Sequence, residues 1–293
     1  MQIARLHPHF AAEITELRLS AERPDTIIDA LQQALEEHAV IVVRDQQAMT
    51  DDVQIAFSAR FGRLQRSITI HREDTVRRLQ RDELSDISNV DEKGERMSAQ
   101  DRRRQLQMPA RLWHSDNSFR SPPGLFTFLA AKIVPPEGGD TEFADMRAAY
   151  YALEPDMRER IDGLRVRHSL DWSRQQVGAP SLSVLERANI PEAIQPLVRF
   201  HPATGRKSLY LSSHARDVID CDEAEGRALL QELSARSTRP EFVYSHKWRE
   251  GDLVIWDNRT TMHRATPFAE DKYRRDMRRT SVEDDRAAVG SPT

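Results

Sequence analysis

The sequence predicts a single domain, residues 1–293, that is mostly β with flanking helices, and three observations carry this expectation. Short apolar runs recur through the second half, at 126–134, 198–200, 209–211, 241–244 and 253–256, and Pro, Gly and Asn turn signals separate them. Helical periodicity is confined to an opening pair of segments and two later insertions. The length, 293 residues, is one that β-rich barrels often reach as one unit.

In chain order, Ile27, Ile28, Leu31, Ala34 and Leu35 fall at the spacing of an amphipathic helix over 24–37, with Pro24 near its start. The β-branched run 39–43 follows at once and reads as a buried strand. Thr50-Asp51-Asp52 can cap a second helix, whose stripe of Val53, Ala56, Phe57 and Phe61 ends at Gly62. Residues 63–111 are polar and charged, with little periodicity outside 86–90. A connection that long carries function or mobility, and we expect an active-site lid. The strand-like runs come next, interrupted by helical segments at 146–153, running on into 156–164, and at 222–234, where Ala224, Leu229, Leu230 and Leu233 share one side. No internal repeat appears, and the tail 287–293 reads as frayed.

Composition excludes several function classes. The net charge is -4 against 43 basic and 47 acidic side chains, which argues against a nucleic-acid or membrane-surface partner. No stretch approaches a membrane span, and Met1 to Arg5 lacks an apolar signal core, so a cytoplasmic protein is expected. Cys221 is the sole cysteine; a metal would have to use nitrogen and oxygen ligands. The basic blocks Arg77-Arg78 and Arg102-Arg103-Arg104 read either as solvated faces or as a rim that attracts anions.

The chemistry concentrates in Trp113-His114-Ser115-Asp116 and, far downstream, in the segment from Trp256 to His263. In extended backbone His114 and Asp116 point to one side and can grip one ion while Ser115 faces away. Two imidazoles and one carboxylate are the ligand set that holds a non-haem Fe(II) on one face, provided a second strand brings in His263. By itself a His-x-Asp triplet arises often by chance. Its company is more specific: the stretch from Val134 to Phe143, including Gly138-Gly139-Asp140-Thr141, and then Arg275 and Arg279.

On these residues, and on the stretches 55–62, 84–90, 112–119, 138–150, 205–210 with His214, and 253–279, the chain resembles the taurine and 2,4-dichlorophenoxyacetate dioxygenase family nearly end to end. These are iron enzymes that consume 2-oxoglutarate and O2, and several of the stretches look nearer to the phenoxyacetate branch. The resemblance implies a double-stranded β-helix, or jelly-roll, core. It implies that His114, Asp116 and His263 are the catalytic Fe(II) ligands. It also implies that Arg275, aided by the Thr141 hydroxyl, holds the distal carboxylate of 2-oxoglutarate. A planar guanidinium suits that role because it binds carboxylates bidentately and keeps its charge. Without the iron motif Arg275 would read as surface charge in the cluster Arg274, Arg275, Arg278, Arg279.

Arg279 matches the position that grips the substrate's anionic group. If both arginines lie in one strand, their spacing puts them on the same side and Arg278 on the other. His201 and His214 match histidines near the substrate in the phenoxyacetate branch, and each reads equally as a core residue; His71, in the expected lid, matches the family poorly. The implied reaction hydroxylates a small anionic aromatic substrate, an aryloxyacetate, next to its ether oxygen, releasing a phenol and glyoxylate while 2-oxoglutarate becomes succinate and CO2. Assembly into a homo-oligomer is expected.

Other readings stay open. The same chemistry would serve taurine, an alkyl sulfonate, a sulfate ester or a natural aromatic acid. Taurine also needs polar groups for its amine, whereas 108–112 is mostly apolar and Ala110 stands where the taurine branch tends to have an amide. A jelly-roll binding protein or zinc hydrolase could use the triad without redox chemistry, but would have no reason to keep Thr141 and Arg275 together.

Overall fold

The computed structural model describes residues 1–72 and 76–285. The expected frayed tail, and three positions of the expected lid, lie outside the described residues.

The chain opens with an antiparallel pair, β1 (Gln2–Arg5) and β2 (Ala12–Thr15). Helix α1 (Asp25–His38) buries Ile28, Leu31, Ala34 and Leu35, as its spacing predicts, and stops at Ala39 in the left-handed region. β3 (Val40–Val43) follows, buried at every position. α2 (Asp51–Ser58) is capped by the Thr50 hydroxyl, which accepts from the Val53 N–H at 3.2 Å.

The long polar connection is more structured than its sequence suggests. It holds β4 (Ser85–Ser88), the short helix α3 (Arg102–Gln105) and a 3-10 turn at Met108–Arg111. Then come β5 (Gly124–Ile133) and β6 (Thr141–Asp145). The expected helical run from 146 is two helices, α4 (Met146–Tyr151) and α5 (Pro155–Ile161), because Pro155 cannot continue a helix but can begin one.

Next are β7 (Arg165–His168), α6 (Leu170–Gln175), α7 (Val184–Asn189), β8 (Ala193–Pro196), β9 (Val198–Phe200), β10 (Lys207–Leu209) and β11 (Ala215–Val218). The chain closes with α8 (Glu223–Ser237), β12 (Val243–His246), β13 (Leu253–Asp257), β14 (Thr261–Ala265) and β15 (Asp276–Glu283). Among the described residues no helix is long and apolar enough to cross a membrane.

Two sheets dominate this mostly β fold. The larger runs β1-β2-β3-β13-β5-β15-β4, and the smaller runs β12-β6-β14. Alternation along the central strands sends Ile41, Val43, Phe128 and Ile255 toward α1 and α2, where they meet Leu31, Leu35 and Phe57. The other face carries Val40, Val42, Leu129, Val254 and Trp256 against Phe143 of the smaller sheet. Burial on both faces explains why β3 and β13 read as unbroken apolar runs. The far side of the smaller sheet is covered by α4 and α8 through Met146, Tyr150, Leu229 and Leu233, packed on Ala144 and Met262. The layers are therefore helix, sheet, sheet, helix, and the candidate site opens between the two sheets.

Candidate metal centre and its cavities

The centre is built on a bridge between segments half a chain apart. His114 N–H donates to His263 O at 3.0 Å and His263 N–H to His114 O at 2.8 Å, so β14 and the segment after Leu112 are paired before any ion is considered. Both rings then project between the sheets, and His263 packs against Trp256, with ring centroids 4.6 Å apart. Asp116 completes the group. Its carboxylate oxygens lie 3.9 Å from His114 Nε2 and 3.7 Å from His263 Nε2, and one ligand atom from each of the three residues falls within 4.8 Å of the others. Among the described residues no other three such side chains converge in this way.

His114 and Asp116 are oriented by hydrogen bonds, while His263 Nδ1 has no partner among the described residues and its ring is held by packing on Trp256. His114 Nδ1 sits 2.8 Å from Leu112 O, which holds the proton there and turns the Nε2 lone pair toward Asp116. The Asp116 N–H donates to Asn258 Oδ1 at 3.0 Å, Thr127 Oγ1 donates to the carboxylate at 2.9 Å, and Asn258 is itself held by Trp256 Nε1 at 3.0 Å and by Thr127. A Cβ on Gly124 would stand 2.8 Å from Asp116 O, so only glycine lets β5 pass this close. Ser115 faces away, as expected, and donates to Thr261 O.

Burial lowers the pKa of His114 and His263 and keeps both rings neutral, the form that ligates. Burial alone would raise the Asp116 carboxyl, but the charge of Arg279, aided by the Thr127 hydroxyl, outweighs it and holds it below its ordinary value. Two neutral nitrogens and one anionic oxygen fit a ferrous ion; they also fit zinc, so the neighbouring cavities must discriminate.

The first cavity lies over His114 and Asp116, and most of its wall comes from the segment expected to be a lid. Ile68, Leu79, Leu84, Met97, Leu106 and Phe119 supply apolar surface. Arg279 and His214 supply the polar groups beside the metal ligands. Arg279 Nη1 lies 2.5 Å from Asp116 Oδ1. The second cavity adjoins the first at Ile87, Gln107 and Ala110 and ends on Arg275. The two arginines do not share one strand face: β15 begins at Asp276 with an irregular register, leaving Arg275 just outside it. Arg278 does point elsewhere, toward Asp276 and Asp51.

Arg275 is buried, its Nε donates to Gly139 O at 3.3 Å, and it forms no ion pair among the described residues. Burial pushes it down to about 10, with Glu270 and Asp140 only partly offsetting the cost. A guanidinium remains protonated there at neutral pH, so this is a buried cation short of a counter-ion. Glu270 is committed elsewhere, to Arg104 at 2.7 Å and to Arg111. Thr141 is buried on β6, two residues beyond Gly139, where its oxygen accepts from Trp248 Nε1 at 3.0 Å and leaves its own proton to give.

Not every expected residue reaches the site. His201 takes the core-residue form of its two readings: it lines neither of these cavities, and its ring is engaged by Thr204 N–H, Arg259 and Asp257 in a buried network. His71 lines a separate cleft with Arg66 and Arg120. The basic blocks are neither free rim nor simple solvated face. Arg78 is clamped between Asp86 and Asp276 at 2.6 Å each, Arg103 pairs with Asp101 at 2.8 Å, and Arg104 holds Glu270 and Asp271. Asn258 falls within the Trp256 to His263 segment that marks the site in sequence, whereas no sequence signal marks Thr127.

The family described as taurine catabolism dioxygenase TauD, TfdA family matches residues 2–281. The chain is 41% identical over 281 residues to an alpha-ketoglutarate-dependent 2,4-dichlorophenoxyacetate dioxygenase of Cupriavidus pinatubonensis, covering 96% of each. A protein of the same description from Burkholderia sp. strain RASC is 38% identical, over 94% of this chain and 92% of that one. The crystal structure of AAD-2 in complex with Mn(II) and N-oxalylglycine superposes with a TM-score of 0.90 at 40% identity, covering 96% of this chain and 97% of that one.

Proposed function

The chain belongs to the taurine catabolism dioxygenase TauD, TfdA family, and on that premise we propose that it is an Fe(II)- and 2-oxoglutarate-dependent dioxygenase acting on an aryloxyacetate such as 2,4-dichlorophenoxyacetate. It hydroxylates the carbon next to the ether oxygen, and the product falls apart to a phenol and glyoxylate while 2-oxoglutarate yields succinate and CO2. The observation that carries the reading is Arg275: a buried guanidinium without a carboxylate partner, in a cavity adjoining the triad. A zinc hydrolase or a passive metal-binding protein would have no use for that uncompensated charge.

His114, Asp116 and His263 hold the ion, which when bound supplies the activation of O2. Arg275 pairs with the distal carboxylate of the co-substrate, and Thr141 offers it a hydroxyl proton. Arg279, standing beside Asp116, meets the substrate carboxylate, with His214 as a second polar contact. Ile68, Leu84 and Phe119 give the aromatic ring an apolar seat, and the segment 63–111 acts as a lid that keeps water from the reacting carbon. The two facing sheets are read as the halves of a double-stranded β-helix. Residence in the cytoplasm and assembly into a homo-oligomer belong to the same proposal.

The alternative of another anion on the same chemistry keeps its basis in Arg279, which would accept a sulfonate or sulfate as well. Taurine fits less well, since the cavity carboxylate Asp86 is bonded to Arg78 and Pro109 and Ala110 are apolar. Anaerobic Fe(II) and 2-oxoglutarate should together give a weak visible charge-transfer band. With O2, phenol should be released from 2,4-dichlorophenoxyacetate and no sulfite from taurine. Zinc retained with an unchanged spectrum sinks the dioxygenase reading; sulfite without phenol sinks the substrate.

A further inference from the structure

His214 is held from behind by two hydroxyls. Its Nδ1 lies 3.0 Å from Ser118 Oγ and 2.9 Å from Ser212 Oγ. Each serine has one proton to give, and what else its oxygen touches decides where that proton goes. Ser212 Oγ already accepts the backbone N–H groups of Ser115 and of His214 itself, both at 3.3 Å. Its two lone pairs are engaged, so its proton is left for His214 Nδ1.

Ser118 reaches the same result by another route. His168 Nδ1 lies 3.0 Å behind it, in a wholly buried ring stacked on Tyr210 at 5.7 Å between centroids. Burial, reinforced by Arg199, pushes His168 down to about 3, so the ring is neutral and carries one N–H. Its Nε2 is buried without a partner among the described residues. A stranded N–H costs more than a stranded lone pair, so the proton sits on Nδ1 and is donated to Ser118. Ser118 then donates onward to His214. Both serines make His214 Nδ1 an acceptor, which leaves the imidazole proton on Nε2, the nitrogen remaining for the cavity.

We propose that Ser118 and Ser212, with His168 behind Ser118, are positioning residues that lock His214 as an Nε2–H donor, and that this donor binds the anionic end of the substrate beside Arg279. The inference rests on the anionic-substrate reading above and deepens it. With the opposite tautomer His214 would turn a lone pair toward a carboxylate and repel it. The lock therefore contributes an oriented neutral donor next to a cation, selecting for an acceptor at a fixed place.

The test reads the tautomer directly. Histidine-15N-labelled protein loaded with Zn(II) and 2-oxoglutarate, which cannot turn over, is examined by two-bond 1H–15N correlation, with His214→Gln used for assignment. His214 should show a protonated Nε2 and a bare Nδ1, and the Nε2 proton should move downfield as phenoxyacetate is added. In the iron enzyme, the double variant Ser118→Ala, Ser212→Ala should raise the KM for phenoxyacetate about tenfold, the loss of one charge-assisted hydrogen bond, and leave the 2-oxoglutarate KM in place. Should that variant fail to fold, the tautomer measured in the unaltered protein still decides. A proton on Nδ1 overturns the proposal, as does phenoxyacetate that binds without moving the Nε2 proton. If the tautomer is as expected but phenoxyacetate does not bind at all, the substrate reading has failed and takes the donor role with it.

Discussion

Arg275→Met separates two consequences of one side chain. In the ligand-free protein the guanidinium's hydrogen bond among the described residues is to Gly139 O at 3.3 Å, and Glu270, the carboxylate whose charge acts on it most, is already shared by Arg104 and Arg111. Removing the charge strands only the Gly139 carbonyl, an uncharged acceptor held at 3.3 Å, and removes the larger desolvation cost of a buried cation, while methionine fills most of the volume. The melting temperature without ligands should therefore hold or rise. The co-substrate, by contrast, loses the counter-ion of a buried carboxylate, worth about 2–5 kcal/mol; at 1.4 kcal/mol per decade, even the low end is about thirtyfold in the 2-oxoglutarate KM. Succinate release at varied 2-oxoglutarate reads the second effect, and thermal denaturation with and without 2-oxoglutarate under nitrogen reads the first. A variant that melts several degrees lower yet keeps its 2-oxoglutarate KM would refute the reasoning, since Arg275 would then be a structural cation.

Arg279→Ala should raise the aryloxyacetate KM tens-fold and leave the 2-oxoglutarate KM nearly unchanged; a change in the latter alone would mean the two arginines have exchanged roles. Asp116→Ala should abolish turnover and Fe(II) binding by titration, because the ion loses its only protein anion, and wild-type activity would point to another carboxylate. Gly124→Ala should weaken Fe(II) binding about tenfold with the circular dichroism of the fold retained, because a Cβ there would stand 2.8 Å from Asp116 O and the ligand must move. For pH, the unfolded chain protonates His168 near 6.5, whereas the folded ring resists to about 3. The unfolded state therefore gains protons first, and stability present above 6.5 is withdrawn as pH falls toward 3. At pH 5 this ring accounts for about 2 kcal/mol, visible as a lower urea midpoint than at pH 7, and His168→Gln should flatten the difference.

Where burial follows a regular period, the sequence was legible. α1 lies within one residue of the segment its apolar spacing marks, α2 stops at Ser58 with the expected last turn, Ala59–Phe61, in 3-10 form, and β3 and β13 fall within one residue of the unbroken apolar runs. β15 was legible only as a possibility: Asp276 to Glu283 carries no apolar run to mark it, and it is a strand because β5 and β4 flank it. β1 has every residue exposed, so no alternation betrays it. In the site, the triad and Arg275 showed through because residue type and spacing are themselves the chemistry. Its supporting groups did not. Thr127, Asn258, Ser118 and Ser212 are ordinary polar residues whose meaning lies in what they face across the fold, and the arginines of the basic blocks acquire carboxylate partners only in three dimensions. The same limit left His201 open between two readings, because burial in a satisfied network cannot be distinguished in sequence from burial beside a ligand.

The backbone bridge between His114 and His263 has one more consequence. Gathering ligands from segments half a chain apart carries a loop-closure entropy on the order of 4–5 kcal/mol, which in a small metal-folded domain the ion itself must supply. Here the two amide–carbonyl bonds and the sheets around them have met that cost during folding. The ion is then not needed to bring these segments together, and whatever stability it adds comes by mass action on a fold already formed. A chelator should therefore take the metal and leave the circular dichroism of the fold unchanged, and added ion should return to the same site, an exchange that a domain nucleated by its ion cannot perform.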